Sequence, residues 1–438
     1  MKKLIIATCV LLCAGLSLLA QTKTVVDPAA ATDQKILDGF MDKRFGLFIH
    51  WGPVSLRGTE IGWSRGHEVP AKDYDNLYKE FNPVLFNAAA WVKAAKNAGV
   101  KYLTITAKHH DGFCLWPTAY SEYNIMHSPF KRDIVGELAK ACKQQGIAFC
   151  IYFTILDWHD ANYPNHNIAG DTIPDPKADM NKFVATMKNQ LKELITNYHP
   201  YMLWFDGNWE KPWTKEYGVE IYEHVKKLDP NVIINNRLGK GSHKVMDSAT
   251  VGDYATPEQY IGALNMKDPW ESCITICSQW AWKPNDKMKS KKECIQTLVQ
   301  TAAGNGNLLF NVGAMPDGRI EYRQVIRLKE MGDWLKLYGE SVYNTKGGPY
   351  KPNKNFATTR KANKIYLHVF SAENNELSLP ALQNMMVNKA WFLKGQPVQF
   401  TQDEKNIKII LPATMPDEDC SVIVLELNKN AETIPVVD

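Results

Sequence analysis

Between about residue 40 and residue 345, short runs of β-branched, aromatic and aliphatic residues alternate with longer stretches whose apolar positions recur every three or four residues. The short runs have the texture of strands buried on both faces, and the longer ones that of amphipathic helices; their regular alternation predicts parallel βα units. Strands are expected over 45–50, 102–107, 149–153, 202–205, 232–235 and 307–311, and helices over 86–97, 134–145, 182–198, 215–228, 292–303 and 323–337. This is the rhythm of an α/β protein built on a (β/α)8-like TIM barrel with one or more units irregular. After Glu340 the texture changes. The turn-rich Gly347-Gly348-Pro349 is followed by segments 364–370, 389–393, 407–411 and 421–427, which alternate polar and apolar residues and predict a small antiparallel β-sandwich.

The N-terminus reads differently from both regions. Met1-Lys2-Lys3 is basic, and an apolar run follows from Leu4 to Leu19, ending at Ala20-Gln21. A basic start, a short apolar stretch and small residues at its end form a cleaved secretory signal rather than a membrane span, which needs roughly 20 apolar residues. The expected division is a signal peptide over 1–20, a (β/α)8-like domain carrying the chemistry over 21–345 and a C-terminal sandwich over 346–438. The product is then secreted or periplasmic, without membrane insertion. Without Lys2 and Lys3 the formal net charge of +4 becomes +2, too small a field to argue for nucleic acid or anionic membrane as partner. Of the nine cysteines, seven lie beyond the signal, with no Cys-x-x-Cys pair, so buried thiols are expected rather than a metal knuckle or a disulfide framework.

In a barrel of this kind the working side chains stand at the carboxyl ends of the strands. Those ends read His50-Trp51-Gly52, Lys108-His109-His110-Asp111-Gly112, Asp157-Trp158, Asp206-Gly207-Asn208-Trp209 and Asn236-Arg237. An apolar lumen excludes such groups, so several must converge on one open mouth. Aromatic faces stack on the C–H face of a sugar while His, Asp and Arg bond its hydroxyls, and Trp51, Trp63, Trp116, Trp158, Trp204 and Trp209 therefore suggest a carbohydrate site. Asp206 follows an apolar run directly and precedes a glycine that permits a sharp turn, which should aim its carboxylate into the mouth. A rival reading makes His50, His109, His110 and Asp111 a metal centre, although adjacent strand residues point to opposite faces. A sugar-binding relic without activity is a further alternative.

Four segments together resemble the signatures of the family 29 α-L-fucosidases: FGLFIHWG from Phe45, KHHDGF from Lys108, LWFDGNW from Leu203, and NLLFNVG from Asn307 followed by Pro316-Asp317-Gly318. The resemblance spans roughly residues 38–345 in the family's order. It implies a (β/α)8-like barrel with a C-terminal β-sandwich, no metal or cofactor, and exo-acting hydrolysis of terminal α-L-fucose from an oligosaccharide or glycoconjugate with retention of configuration. Carried over by position, Asp206 matches the nucleophile, and His50, His109, His110, Tyr152, Trp204 and Arg237 match the sugar-binding pocket. Glu60 and Trp63 match a Glu-Trp pair that touches the axial hydroxyl, separated here by Ile61-Gly62. For the acid/base the resemblance favours Glu258 in Thr256-Pro257-Glu258, with Glu271 as the alternative, and the proton donor is expected in a less polar position beside aromatic rings. A retaining glycosidase for a fucose-like sugar such as α-L-galactose remains open, as do linkage and oligomeric state.

Overall fold

A computed structural model describes residues 25–27, 30–166, 174–372 and 374–437; the expected signal at 1–20 lies outside the described residues. Seven strands, β1 (Phe45–His50), β2 (Tyr102–Lys108), β3 (Ala148–Thr154), β4 (Met202–Asp206), β5 (Ile233–Ile234), β6 (Glu271–Thr275) and β7 (Asn307–Gly313), form one parallel sheet in the order β5-β4-β3-β2-β1-β7-β6. Helices fill the connections, among them Ala88–Asn97, Ile134–Gln145, Met180–Tyr198, Lys215–Leu228, Lys291–Ala303 and Tyr322–Tyr338. Because successive strand residues face opposite sides, the strands supply two buried layers. Leu47, Ile49, Leu103, Ile105 and Phe205 face the helices. Phe48, Tyr102, Tyr152, Trp204, Cys273 and Leu309 fill the lumen. Phe40, from the helix Gln34–Met41, plugs the lower end against Tyr102 and Tyr254.

The sheet is open between β5 and β6, and residues 251–258 bridge the opening. Parallel bridges join Asn235 to Tyr254 and Arg237 to Val251 on one side, and Ala255 to Trp270 and Glu258 to Cys273 on the other. The lumen is thus ringed by eight chain positions, one of them irregular. Gly252 and Pro257 account for the irregularity. Gly252 presses so closely on Asn235 that a Cβ would lie 2.0 Å from its carbonyl oxygen, and Pro257 has no N–H for a ladder. Strand β6 was absent from the expected set because Glu271-Ser272-Cys273-Ile274-Thr275 reads as polar, yet all five residues are buried.

The C-terminal strands β8 (Lys346–Gly347), β9 (Phe356–Lys361), β10 (Lys364–Val369), β11 (Glu376–Pro380), β12 (Val387–Phe392), β13 (Gln399–Gln402), β14 (Asn406–Ile410) and β15 (Ser421–Leu427) form two antiparallel sheets. Their orders are β12-β15-β10-β9-β8 and β11-β14-β13. Strand alternation divides the larger sheet. Ile365, Leu367, Ile423 and Leu425 pack on Leu379 and Ile407 of the smaller one, whereas Tyr366, Val422 and Val424 join the core beneath the barrel helices. The seven cysteines among the described residues are free and buried.

Trp270 seals the seam. Its indole N–H donates to the Gly304 carbonyl at 3.2 Å, and a Cβ on Gly262, Gly304 or Gly306 would lie 2.5–2.8 Å from its ring. Replacing Trp270 by Ala leaves a cavity there and should cost about 3–5 kcal/mol, read as a lower urea midpoint at unchanged slope. A cost below about 1 kcal/mol would contradict this account of the seam.

Candidate active site

On β4 the two-residue period puts Met202, Trp204 and Asp206 on the lumen face, so Asp206 stands one step above the Trp204 ring at the mouth. Two local features hold it there. The Asn235 side chain takes the place of a strand partner, accepting from Phe205 N at 2.7 Å and donating to Phe205 O at 2.8 Å. Gly207 then turns the chain away with φ of 106°, where any Cβ would meet Leu156 at 2.7 Å.

Arg237, at the end of the β5 stem, joins the two candidate carboxylates. Its Nη1 donates to Asp206 Oδ1 at 2.8 Å and its Nη2 to Glu258 Oε2 at 2.8 Å. Nε and Nη2 also donate to the Thr256 side chain and carbonyl, and the guanidinium lies 4.5 Å over the Trp204 ring. Burial works against this cation, but Asp206 and then Glu258 outweigh it and raise the Arg237 pKa above its ordinary value. The second Asp206 oxygen accepts from the Tyr152 hydroxyl at 3.1 Å. Burial, reinforced by Asp206, pushes the Tyr152 pKa far up, so the phenol keeps its proton. Glu258 therefore faces a guanidinium rather than the less polar aromatic setting expected for it.

Three histidines complete the mouth, and the partners of two of them fix the proton positions. Asn311 donates its amide N–H to the Trp280 carbonyl at 2.8 Å, which leaves its oxygen to accept from His50 Nδ1 at 2.6 Å. The Thr154 hydroxyl donates to Leu156 O at 2.9 Å and so accepts from His110 Nδ1 at 2.8 Å. Both rings therefore carry hydrogen on Nδ1 and present Nε2 as an acceptor. His110 Nε2 lies 3.7 Å from Asp206 Oδ2. Burial lowers the pKa of His50 and of His110 to about 3, and burial likewise takes His109 well below its ordinary value. His109 lies parallel to the Tyr152 ring with centroids 5.3 Å apart, and its buried Nδ1 has no partner among the described residues.

These groups enclose a cavity of about 240 Å³, smaller than the range for drug-sized ligands and suited to one sugar ring. Asp206, Glu258, His50, His109, Tyr152 and Arg237 line it, together with Trp63, Trp204 and Trp209. His110 backs it, edge-on to Trp63 and Trp209. Two expected residues lie elsewhere. Glu60 does not reach the cavity: its carboxylate accepts from the backbone N–H groups of Trp280, Ala281 and Ile61, and burial raises its pKa to about 7. Glu271 lies fully buried under the pocket floor, accepting from Tyr102, Trp204 and Tyr254, with its pKa raised by burial to about 7. Its place beneath Trp204 takes it out of reach of a leaving group.

Three of the tryptophans assigned to the mouth are also core residues. Trp51 packs on Phe81, Phe86 and Trp91, Trp116 donates to Glu193 and Trp158 to Glu210. Both histidines of the adjacent pair face the site, with ring centroids 4.2 Å apart, because the chain leaves β2 at Lys108 and strand alternation ends there. Asp111 turns away from them to accept from Tyr74 and Phe113 N. Trp280 and His243 line the cavity without having been expected. Trp280 stands after the unrecognised strand β6, its ring 4.8 Å from His50, and its backbone is held by Glu60 and Asn311.

Because the folded pKa of His50 and of His110 is about 3 against an unfolded value near 6.5, the unfolded chain takes up protons first as pH falls. Their burial thus favours folding above about pH 6.5 and loses that advantage progressively down to about pH 3. Proton–nitrogen correlation spectra should show both rings as Nδ1–H tautomers, unchanged between pH 8 and 5; a midpoint inside that range would contradict the assignment.

The model for the α-L-fucosidase family matches residues 13–340. An α-L-fucosidase of Branchiostoma floridae is 30% identical over 341 residues, 72% of this chain and 74% of that protein. The plasma α-L-fucosidase of Homo sapiens is 30% identical over 356 residues, 74% of this chain and 73% of its own. Among solved structures, α-L-fucosidase isoenzyme 1 from Paenibacillus thiaminolyticus superposes with a TM-score of 0.83 at 32% identity, covering 90% of this chain and 99% of that one. A family 29 α-L-fucosidase from Bacteroides thetaiotaomicron, trapped as a covalent intermediate with 2-fluoro-fucosyl fluoride, gives 0.83 at 28% identity, covering 93% and 99%. With that family's model extending over most of its length and its barrel-and-sandwich plan shared by both solved structures, this chain belongs to the α-L-fucosidases of glycoside hydrolase family 29.

Proposed function

We propose that the chain is a retaining α-L-fucosidase that removes terminal α-L-fucose from glycans, with Asp206 as nucleophile and Glu258 as acid/base. The observation that carries this reading is the pair of carboxylates at the two ends of one guanidinium, Asp206 on Nη1 and Glu258 on Nη2, at a cavity the size of a single sugar. Retaining hydrolysis works with two carboxyl groups about 5–5.5 Å apart, one ionised and one protonated. Asp206 attacks the anomeric carbon as Glu258 protonates the departing oxygen. Glu258 then draws a proton from water, whose oxygen displaces Asp206 and releases the sugar. Side-chain exposure supports this order: 13% for Asp206 and 33% for Glu258 puts the donor on the outer side, where an aglycone leaves.

The remaining groups fit binding roles. The acceptor Nε2 atoms of His50 and His110 suit sugar hydroxyls, and Tyr152 with Arg237 orients Asp206 through one donor on each oxygen. Trp63, Trp204, Trp209 and Trp280 offer rings to the apolar face of the sugar. Residues 346–438 act as a supporting sandwich, since one sheet face is covered by the barrel helices. The basic start and apolar run at 1–20 support export to the periplasm or medium. Among the described residues no helix is long and apolar enough to cross a membrane.

Asp206→Gly should abolish turnover of an activated aryl fucoside, and azide should partly restore it; no rescue with the fold intact contradicts the nucleophile assignment. Glu258→Ala should lose about 10²–10⁴-fold in kcat/KM with poor leaving groups, the usual range for general acid catalysis, and far less with good ones. Glu271→Ala should lower the melting temperature and reduce activity on both substrate classes alike, and a leaving-group dependence in that variant would move the acid/base role to it.

A further inference from the structure

We infer that Gln259 is a positioning residue that aims Glu258 into the site through a left-handed turn tied to β6; the inference rests on Glu258 being the proton donor. Gln259 has φ of 61°, a region that residues other than Gly, Asn and Asp seldom enter. Among the described residues it is the one non-glycine in that region that adjoins, in sequence, a residue lining the cavity. Its side chain is exposed, so packing does not impose the conformation. Hydrogen bonds do. Its backbone N–H donates to Cys273 O at 2.9 Å. Its side-chain oxygen accepts from Thr275 N at 3.3 Å and from the Thr275 hydroxyl at 3.2 Å. One step earlier, Cys273 N donates to Pro257 O at 3.0 Å.

Glu258 is thus held between two rungs to β6, and the chain must break away immediately after it, because Tyr260 is exposed. An extended residue 259 would carry the irregular strand onward along β6. The left-handed residue ends it there, leaving Glu258 the last position on the ladder with its carboxylate on Arg237. Backbone outliers of this kind persist where neighbouring structure over-determines them, and they cluster at working sites. Here the Thr275 tether is the over-determining element.

The test compares an unactivated fucosyl disaccharide with an activated aryl fucoside. Wild-type turnover of the aryl fucoside comes first: its absence refutes the fucosidase reading itself, and its presence leaves the positioning claim to the variants. Gln259→Leu removes the tether and disfavours the turn, so kcat/KM, which reports formation of the glycosyl-enzyme, should fall at least about tenfold on the disaccharide and less than about threefold on the aryl fucoside, because only the first reaction depends strongly on proton donation in that step. Gln259→Asn, which also loses the tether but tolerates the left-handed region, should show the same substrate-selective loss in smaller measure than the Leu variant. If the Leu variant does not accumulate, Thr275→Val removes one of the two donors and should reproduce the substrate-selective loss in smaller measure. Equal losses on both substrates, or wild-type behaviour of the Leu or Val variant on the disaccharide, would overturn the proposal.

Discussion

A guanidinium taken out of water is tolerated only where charge and hydrogen bonds replace its hydration. Arg237 meets that condition with Asp206 on one nitrogen, Glu258 on another, Thr256 beside them and the Trp204 face below. This arrangement constrains much of the molecule. Three neighbouring barrel positions, β4, the stem of β5 and the irregular segment 251–258, must be in register for the two carboxylates to bracket one cation. A slip in any of them leaves a buried charge unpaired, and breaking such a pair from one side costs far more than the pair itself contributes.

The rest of the barrel serves that register. Asn235 supplies the bonds that a two-residue strand cannot, and Trp270 fills the space under the irregular segment. The buried Glu271 anchors the indole beneath Arg237. Around the mouth the histidines are kept neutral by burial, with protons directed by Asn311 and Thr154, so acceptors face the cavity beside a carboxylate that is already held by two donors. The polar floor and walls are thereby fixed before a ligand arrives, the condition under which electrostatic stabilisation of a transition state needs little reorganisation.

What could be read from the chain follows from regularity. Asp206 was legible because β4 obeys the two-residue period and a glycine follows it. His50 and Trp204 were legible for the same reason, each being a lumen-facing residue near the end of a regular strand, whereas Tyr152 was reached through resemblance. Glu258 was reached only through resemblance, since Pro257 and Gly252 erase the strand pattern around it. Trp280 was missed because β6 is buried by tertiary context despite a polar sequence, so its end was not recognised as part of the mouth. Trp51 and Trp158 show the opposite failure: standing after a strand end does not say whether the ring turns into the mouth or under the helices. Glu60 was a plausible sugar ligand by position, but two inserted residues separate it from Trp63, and its carboxylate instead anchors the loop that carries Trp280.

The proposed mechanism requires a covalent bond between the Asp206 side chain and the anomeric carbon. Incubation with a 2-deoxy-2-fluoro-fucosyl fluoride, followed by proteolysis and mass spectrometry of the inactivated enzyme, tests it most directly. One added fluorosugar is expected, carried by the peptide containing Asp206 and located on that residue by fragmentation. A label on any other side chain, or steady turnover of the reagent without a bound adduct, would contradict it.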